Sequence, residues 1–484
     1  MVVKPILKCL LLLIISTVYK SVAVSIIKDP VIRSATPISN KTWENWNGAI
    51  DISPNAIFEP STLQDLIDIV KLAKKNNKTI RCAAQGHTVS SLSVTDHYLV
   101  VVNNLNKAKV QKHSKYGWTV TAEAGMSLSE LDQALRAHNP PLTLNSETVY
   151  NSFRVSGVIA VGAHGANPRS GLLGIIYSVT FRVQPMYNLI MNDNYVSINE
   201  WLNANNIKKL LNSSDGIELF YWPFNGFNQS DPNPFDTNKD LVWVKNWVRT
   251  DKPVSITQKQ LEQLRKTQRQ GMILQYQLLS SLLKNPEETP NITSSIWEDF
   301  ISSGNKSLVL EAPDAFHYVP AEESVKLDLM EFGFKVDPDF SNVVTEFLFA
   351  IKTMYKFAKQ GKFPLNYIID LRIIKSTKAL LSTTFDNDSE ALYCQLDFET
   401  AYRTPSWEEF GKFMAKRYFD KYKAKPHWAK EWEFIPNVTS YLSNVLSDQI
   451  KQFEQIRAKY DPDKIFFDNK SLQEIFSKAL GSKK

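Results

Sequence analysis

Three cysteines in 484 residues are too few for a disulfide scaffold. Cys9 falls in an N-terminal apolar run, which leaves Cys82 and Cys394. Both sit in strand-like runs far apart in sequence, where buried free thiols are expected. No internal repeat and no low-complexity segment occurs, which argues against solenoid and fibrous architectures. There is no G-x-G-x-x-G and no Walker A pattern, so neither a Rossmann domain nor a P-loop is expected. Neither sign of charge dominates: 56 Lys+Arg oppose 50 Asp+Glu, for a net +6. That balance gives no case for nucleic acid. The apolar run Cys9–Tyr19 would span about 16 Å as a helix, short of a bilayer core of about 30 Å, so no stable membrane span is expected. No metal is expected either.

The same N-terminus reads instead as a secretory signal. Lys4 and Lys8 precede the apolar run, Lys20 closes it, and Ser21 and Ala23 offer a cleavage site. Cleavage after residue 23 would remove three lysines and no acid, leaving a net charge of +3. Sequons at Asn40, Asn77, Asn212, Asn228, Asn291, Asn305, Asn387, Asn437 and Asn469 fit a secreted or secretory-pathway glycoprotein. An uncleaved signal acting as a membrane anchor is the alternative. The remaining composition, 43% hydrophobic and 22% charged, is that of a globular protein with room for two or three domains.

Apolar residues recur at helical spacing over Thr62–Asn76, with Pro60 before them and Ser61 or Thr62 placed to cap. Strand patterns follow at Thr79–Ala83, Tyr98–Val102 and Trp118–Ala122, and a second helix at Leu128–His138. From about Met186 the chain becomes rich in Pro and Asn, with a polar loop at Asn228–Asp240 and a helical stretch at Ser255–Leu283. Strands are expected at Tyr367–Ile374 and Ala391–Phe398. The last sixty residues read as mainly helical around Ser440–Lys459, followed by the turn YDPDKIFF. This order describes an α+β protein. The expected division is a signal at 1–23, a first domain at 24–186, a second α+β domain with an antiparallel sheet at 187–425, and a C-terminal segment at 426–484 packing back on the first.

Two small-residue turns carry the strongest functional signal. RCAAQGHT (Arg81–Thr88) and SGVIAVGAHG (Ser156–Gly165) each place a histidine beside glycine, after or within a strand-like run. Small residues let a backbone approach a ligand closely and aim N–H groups at it, which suits a pyrophosphate. Two such turns in one N-terminal segment are best explained by one shared dinucleotide.

These residues resemble the flavoprotein oxidases of the vanillyl-alcohol-oxidase superfamily, in particular the branch of D-arabinono-1,4-lactone and L-gulonolactone oxidases. The resemblance runs through NWNGAI, QGHT, VTAEAGMSLSEL and SGVIAVGAHG to ELFYWPF, VWVKNWVRT, DLR, HWAK and YDPDKIFFDN. It implies an FAD-binding domain of the PCMH type followed by a substrate domain. It implies FAD held by Ala83, Ala84, Gln85, Gly86, Thr88, Ser152, Gly157, Gly162, His164 and Ile176, and bonded covalently through His87. It further implies Arg372 orienting a sugar, Lys430 on the hydroxyl to be oxidised, and Asp370 in place of a more usual glutamate. Asp370 and Arg372, two apart on a strand, are expected to face one pocket. Tyr393 and Gln395 form a similar pair that would complete the sugar site, with His427 supporting Lys430. Taken singly, a D-x-R pair is an ordinary ion pair and HWAK ordinary packing; the joint match gives them meaning.

The pattern breaks after Gly165. Family members continue with two strands and a helix before a segment like GLLGIIYSVTFRV, yet here only Ala166–Ser170 intervene. An element of roughly 25 residues is missing. Ala84 for glycine, Thr88 for serine and Ser156 for glycine or alanine are smaller departures. The expected activity is FAD-dependent oxidation of an aldono-1,4-lactone at C2 to an ascorbate-type product, with O2 reduced to hydrogen peroxide. Alternatives are an alditol or oligosaccharide oxidase, a dehydrogenase with another acceptor, or a flavin-free carbohydrate-binding glycoprotein.

Overall fold

The computed structural model describes residues 37–38, 41–163, 172–302, 304–320 and 322–481. The expected signal segment, Asn40, His164 and the residues Gly165–Ser170 lie outside them.

The helix Leu63–Lys75 forms where the periodicity places it. Thr62 caps it through a reciprocal box with Asp65, and Leu66, Ile69 and Ala73 bury its inner face. It packs beside a three-stranded parallel sheet in which Tyr98–Val101 pairs with both Ala56–Phe58 and Ile80–Ala83. A second, antiparallel sheet joins Ala108–His113, Gly117–Glu123 and Ser178–Arg182. The helix Leu128–Arg136, capped by a Ser127–Glu130 box, and Val155–Val161 share its core with Val120, Ala122 and Leu142.

The two sheets meet at Gly125. A Cβ there would lie 2.0 Å from the carbonyl oxygen of Val102 and 2.8 Å from backbone atoms of Asn103. Backbone cannot yield as a flexible side chain does. Gly125→Ala is therefore expected to destabilise the fold by about 3 kcal/mol, the upper end of what overpacking costs, measured by thermal or denaturant unfolding; an unchanged midpoint would refute the clash.

The rest of the chain builds an eight-stranded antiparallel sheet. Its spatial order is Lys306–Glu311, Asn188–Ser197, Leu241–Thr250, Gly216–Tyr221, Ile368–Lys375, Leu392–Ala401, Leu327–Lys335 and Lys425–Pro426. Period-two alternation sorts its central strands into two faces. Leu219, Leu371, Leu396, Phe398, Met330 and Phe332 enter the large core formed with the helices Ser341–Ala358 and Trp407–Tyr422. Glu346 fixes those two helices to each other, accepting hydrogen bonds from Arg417 at 2.5 and 2.7 Å and from Tyr422 at 2.6 Å. The intervening residues Glu218, Asp370, Arg372, Asp397, Glu399 and Glu331 belong to the opposite face, which is polar.

The long helix expected at 255–283 is Gln258–Ser281, and the polar loop at 228–240 holds only a short turn of helix at Thr237–Lys239. Near the C-terminus two helices, Val438–Val445 and Ser447–Tyr460, lead into the YDPDKIFF turn. Asp461 accepts the Ile465 and Phe466 N–H groups to shape that turn. The turn then returns to the first parallel sheet: Ile80 N–H donates to Ile465 at 2.8 Å, Arg81 donates to the Phe466 carbonyl, and Thr79 and Thr95 donate to Asp468. No helix among the described residues is long and apolar enough to cross a membrane.

Candidate active site

A cavity of about 350 Å³ lies between the Ala83–Thr88 turn and the polar face of the large sheet. The strand Ile80–Ala83 delivers the turn, and Gly86 makes it possible with a φ of +82°. Two further ties hold it: Trp46 N–H donates to the Gly86 carbonyl at 2.8 Å, and Val89 N–H donates to Ala429 at 2.8 Å. The second tie joins the turn directly to the loop bearing Lys430. Ser90 reinforces it by donating to the Trp428 carbonyl.

His87 points into the cavity. Its ring stacks on Trp46 at 5.2 Å between centroids and tilts against Phe153 at 4.8 Å, while Nε2 lies 3.3 Å from the Glu323 carboxylate. That contact, the largest cause, and one from Gln85 hold Glu323 below the usual carboxylate range. Ala83, Ala84, Gln85, Gly86, Thr88, Ser152, Gly157 and Ile176 all line the same cavity. Gly162 does not: in left-handed conformation it ends the helix Val155–Val161.

The wall offers the polar groups that a dinucleotide needs. Trp46 Nε1, Arg154 Nε, and the hydroxyls of Ser152 and Ser156 are buried there without a partner among the described residues. Buried donors of this kind ordinarily have one. A Cβ on Gly157 would meet nothing closer than Ala84 at 3.9 Å, so the second segment leaves backbone open to a ligand.

Across the cavity, Arg372 is anchored by carboxylates. Nε donates to Glu218 at 2.8 Å and Nη2 lies 2.5 Å from Asp370. Burial alone would weaken its charge, but Asp370 and Glu218 outweigh burial and raise its pKa. Asp370 corrects the expectation that both members of the pair face the cavity. It has no exposed surface and stands beneath Arg372, and burial pushes its carboxyl up despite that arginine. Glu218 also accepts the Tyr318 hydroxyl at 2.5 Å.

Lys430 follows the short strand Lys425–Pro426 and is paired with Asp397, with Glu331 at 3.6 Å. Burial works against its charge; Asp397, Glu331 and Glu399 overcome it and raise the pKa. Glu399, pushed up to about 7 by burial and then by Asp397, completes this corner. His427 lines the cavity three residues from Lys430, and its carbonyl accepts the Lys430 N–H at 3.0 Å.

Tyr393 and Gln395 do not reach the cavity wall. Tyr393 turns its hydroxyl to Phe385 and Asp386 at the end of the strand. Gln395 is buried opposite Arg372, lying over Gly333, where a Cβ would be 2.6 Å from its amide. The expected face is right, but the cavity meets that strand one step further along, at Asp397 and Glu399. Continuing the same i, i+2 period would have found them. Glu218 carried no such signal, since only strand pairing sets it opposite Arg372.

An FAD binding domain model matches residues 54–179, and a D-arabinono-1,4-lactone oxidase model matches 179–474. The chain belongs to the D-arabinono-1,4-lactone oxidase family. Within the wider group of that family's relatives, it is 23% identical to the L-gulonolactone oxidase of Scyliorhinus torazame, over 88% of this chain and 96% of the relative. It is 19% identical to the L-gulono-1,4-lactone dehydrogenase of Mycobacterium tuberculosis, over 88% and 97%. The D-arabinono-1,4-lactone oxidase of Kluyveromyces lactis is 25% identical over 46% of each chain, so the alignment spans about half of that relative. A solved cholesterol oxidase from B. sterolicum superposes with a TM-score of 0.73 at 16% identity, covering 91% of this chain and 97% of that one, a likeness of fold. Membership in the D-arabinono-1,4-lactone oxidase family makes the chain an FAD-dependent oxidoreductase of the PCMH-type fold, and a flavin-free glycoprotein is not what these matches support.

Proposed function

We propose that the protein oxidises the C2 hydroxyl of an aldono-1,4-lactone, of which D-arabinono-1,4-lactone is the first to test, to an ascorbate-type product with O2 as acceptor. The observation that carries this reading is one cavity with the His87 turn on one side and Arg372 and Lys430 on the other. FAD, when bound, supplies the hydride acceptor. Arg372, fixed by Glu218 and Asp370, presents the rest of its planar fork to substrate oxygens. Lys430 holds the reacting hydroxyl as a compact cation, and the carboxyls of Asp397 and Glu399 beside it are the acceptors placed for the hydroxyl proton.

Anaerobic addition of D-arabinono-1,4-lactone should bleach the flavin absorbance of the purified protein. Persistent bands would move the search to alditols and oligosaccharides. Peroxide formed on admitting air identifies an oxidase; bleached flavin that oxygen leaves unchanged identifies a dehydrogenase, the activity named for the mycobacterial relative.

We further propose a covalent bond from His87 to the flavin. The supported ring, held between two aromatic side chains, favours one approach of its imidazole. Acid-precipitated wild type should keep flavin fluorescence in the pellet, and His87→Ala should lose it entirely. Complete release of FAD from the wild type would dismiss the bond. Secretory-pathway residence rests on the N-terminal segment and the sequons. Among those, Asn469 is buried with its amide donating to Ser91, so no glycan fits there.

A further inference from the structure

At the edge of the cavity, which Glu147 also lines, the described residues bring together one group of side chains with metal-ligand chemistry: Asp132, Glu147 and His317. Asp132 is on the helix Leu128–Arg136, Glu147 begins the segment that runs along the cavity to Gly157, and His317 follows the helix Ala312–Phe316 beside the large sheet. The His317 side chain is 3% exposed, that of Glu147 0% and that of Asp132 9%. His317 Nε2 lies 3.1 Å from Asp132 Oδ2 and 2.9 Å from Glu147 Oε2, and all three ligand atoms lie within 4.8 Å of one another. The other ring nitrogen faces the Val149 carbonyl at 3.4 Å, the kind of contact that directs Nε2 toward a ligand.

Charge and hydrogen bonding point the same way. Among the described residues no lysine or arginine pairs with either carboxylate, whereas the neighbouring acids Glu311 and Asp314 are served by Arg136 and Arg265. The second oxygens, Asp132 Oδ1 and Glu147 Oε1, are buried without a partner. Without an ion, the one cationic group among the described residues that meets these two buried carboxylates is the His317 imidazole itself, which can balance only one of them, and an unbalanced buried charge is costly. We propose that Asp132, Glu147 and His317 bind one divalent transition cation, of the Zn²⁺ or Mn²⁺ type, that pins the cavity-wall segment to the large-sheet unit. One imidazole nitrogen and carboxylate oxygens are ordinary ligands for such an ion, at about 2.0–2.2 Å for zinc. Each of the three side chains offers one ligand atom, and the unpartnered second oxygens of the two carboxylates are further donors at the same place. The proposal is independent of the substrate.

The test uses the full-length, flavin-loaded protein, treated with EDTA, dialysed and titrated with ZnCl2 by calorimetry, with thermal unfolding in parallel. One equivalent should bind and raise the unfolding temperature. His317→Ala removes the nitrogen ligand; Glu147→Gln keeps the shape and removes a charge, so it serves if the first variant does not fold. Either should weaken binding by at least about 10-fold and abolish the thermal shift. No binding by the wild type would overturn the proposal and leave a cluster bridged by protons. Equal binding by wild type and a folded variant would overturn it too, by placing the ion elsewhere on the surface.

Discussion

Lys430→Met should lower turnover by about 10³-fold while the protein keeps its full complement of flavin. Methionine preserves the length and bulk of the side chain and deletes the ammonium. The loop that bears it stays in place through backbone, since His427 N–H donates to Glu331 and Glu431 N–H to Leu329 at 2.8 Å. The carboxylates left behind are not stranded as charges. Burial already pushes Asp397 up, so it takes a proton when its cation goes. Steady-state kinetics with a flavin spectrum of each preparation separates the two effects. A variant with normal flavin and normal turnover would remove Lys430 from the reaction.

Arg372→Ala should cost both fold and activity. Asp370 has no exposed surface and Glu218 is buried, so deleting their shared cation leaves two carboxyls in a dry site, a loss of about 3–5 kcal/mol. The pH dependence has a definite sign. Asp370 is raised in the folded state, so it favours folding only below its unfolded pKa of about 3.9 and disfavours it as pH rises past that value. The variant should therefore lose least stability in acid and progressively more toward neutrality. Arg372→Lys restores charge but cannot reach Glu218 and Asp370 with two nitrogens at once. It should recover part of the melting temperature and little of the flavin reduction by substrate. Wild-type melting and reduction in Arg372→Ala would show that the guanidinium neither binds substrate nor holds the sheet face.

Much of this architecture was legible before any coordinates. The helix at 63–75 announced itself by its cap and spacing, and the strands bearing Arg372 and Asp397 by runs of β-branched and aromatic residues. What the chain could not display was which position along each strand meets the cavity. Tyr393, Gln395, Asp397 and Glu399 share one face and one period, and nothing local separates them. The choice is made by register: Arg372 pairs with Gln395 and Asp370 with Asp397, and the Lys430 loop arrives from beyond the neighbouring strand. Glu218 is further still from sequence view, 154 residues before the arginine it holds. The Asp132, Glu147 and His317 cluster is drawn from three separate segments and has no spacing motif at all.

The bonds from the YDPDKIFF turn to the first parallel sheet also set an order of assembly. Arg81 and Phe466 are 385 residues apart, and Thr79 and Asp468 are 389 apart. Contacts across such separations form late, after the intervening chain has collapsed. During synthesis the residues of the His87 turn emerge long before the segments that brace it, Trp428–Lys430 and Ile465–Asp468. The His87 turn is thus fully braced only once those distant segments have been made, and completion of this cavity wall becomes a late event of folding.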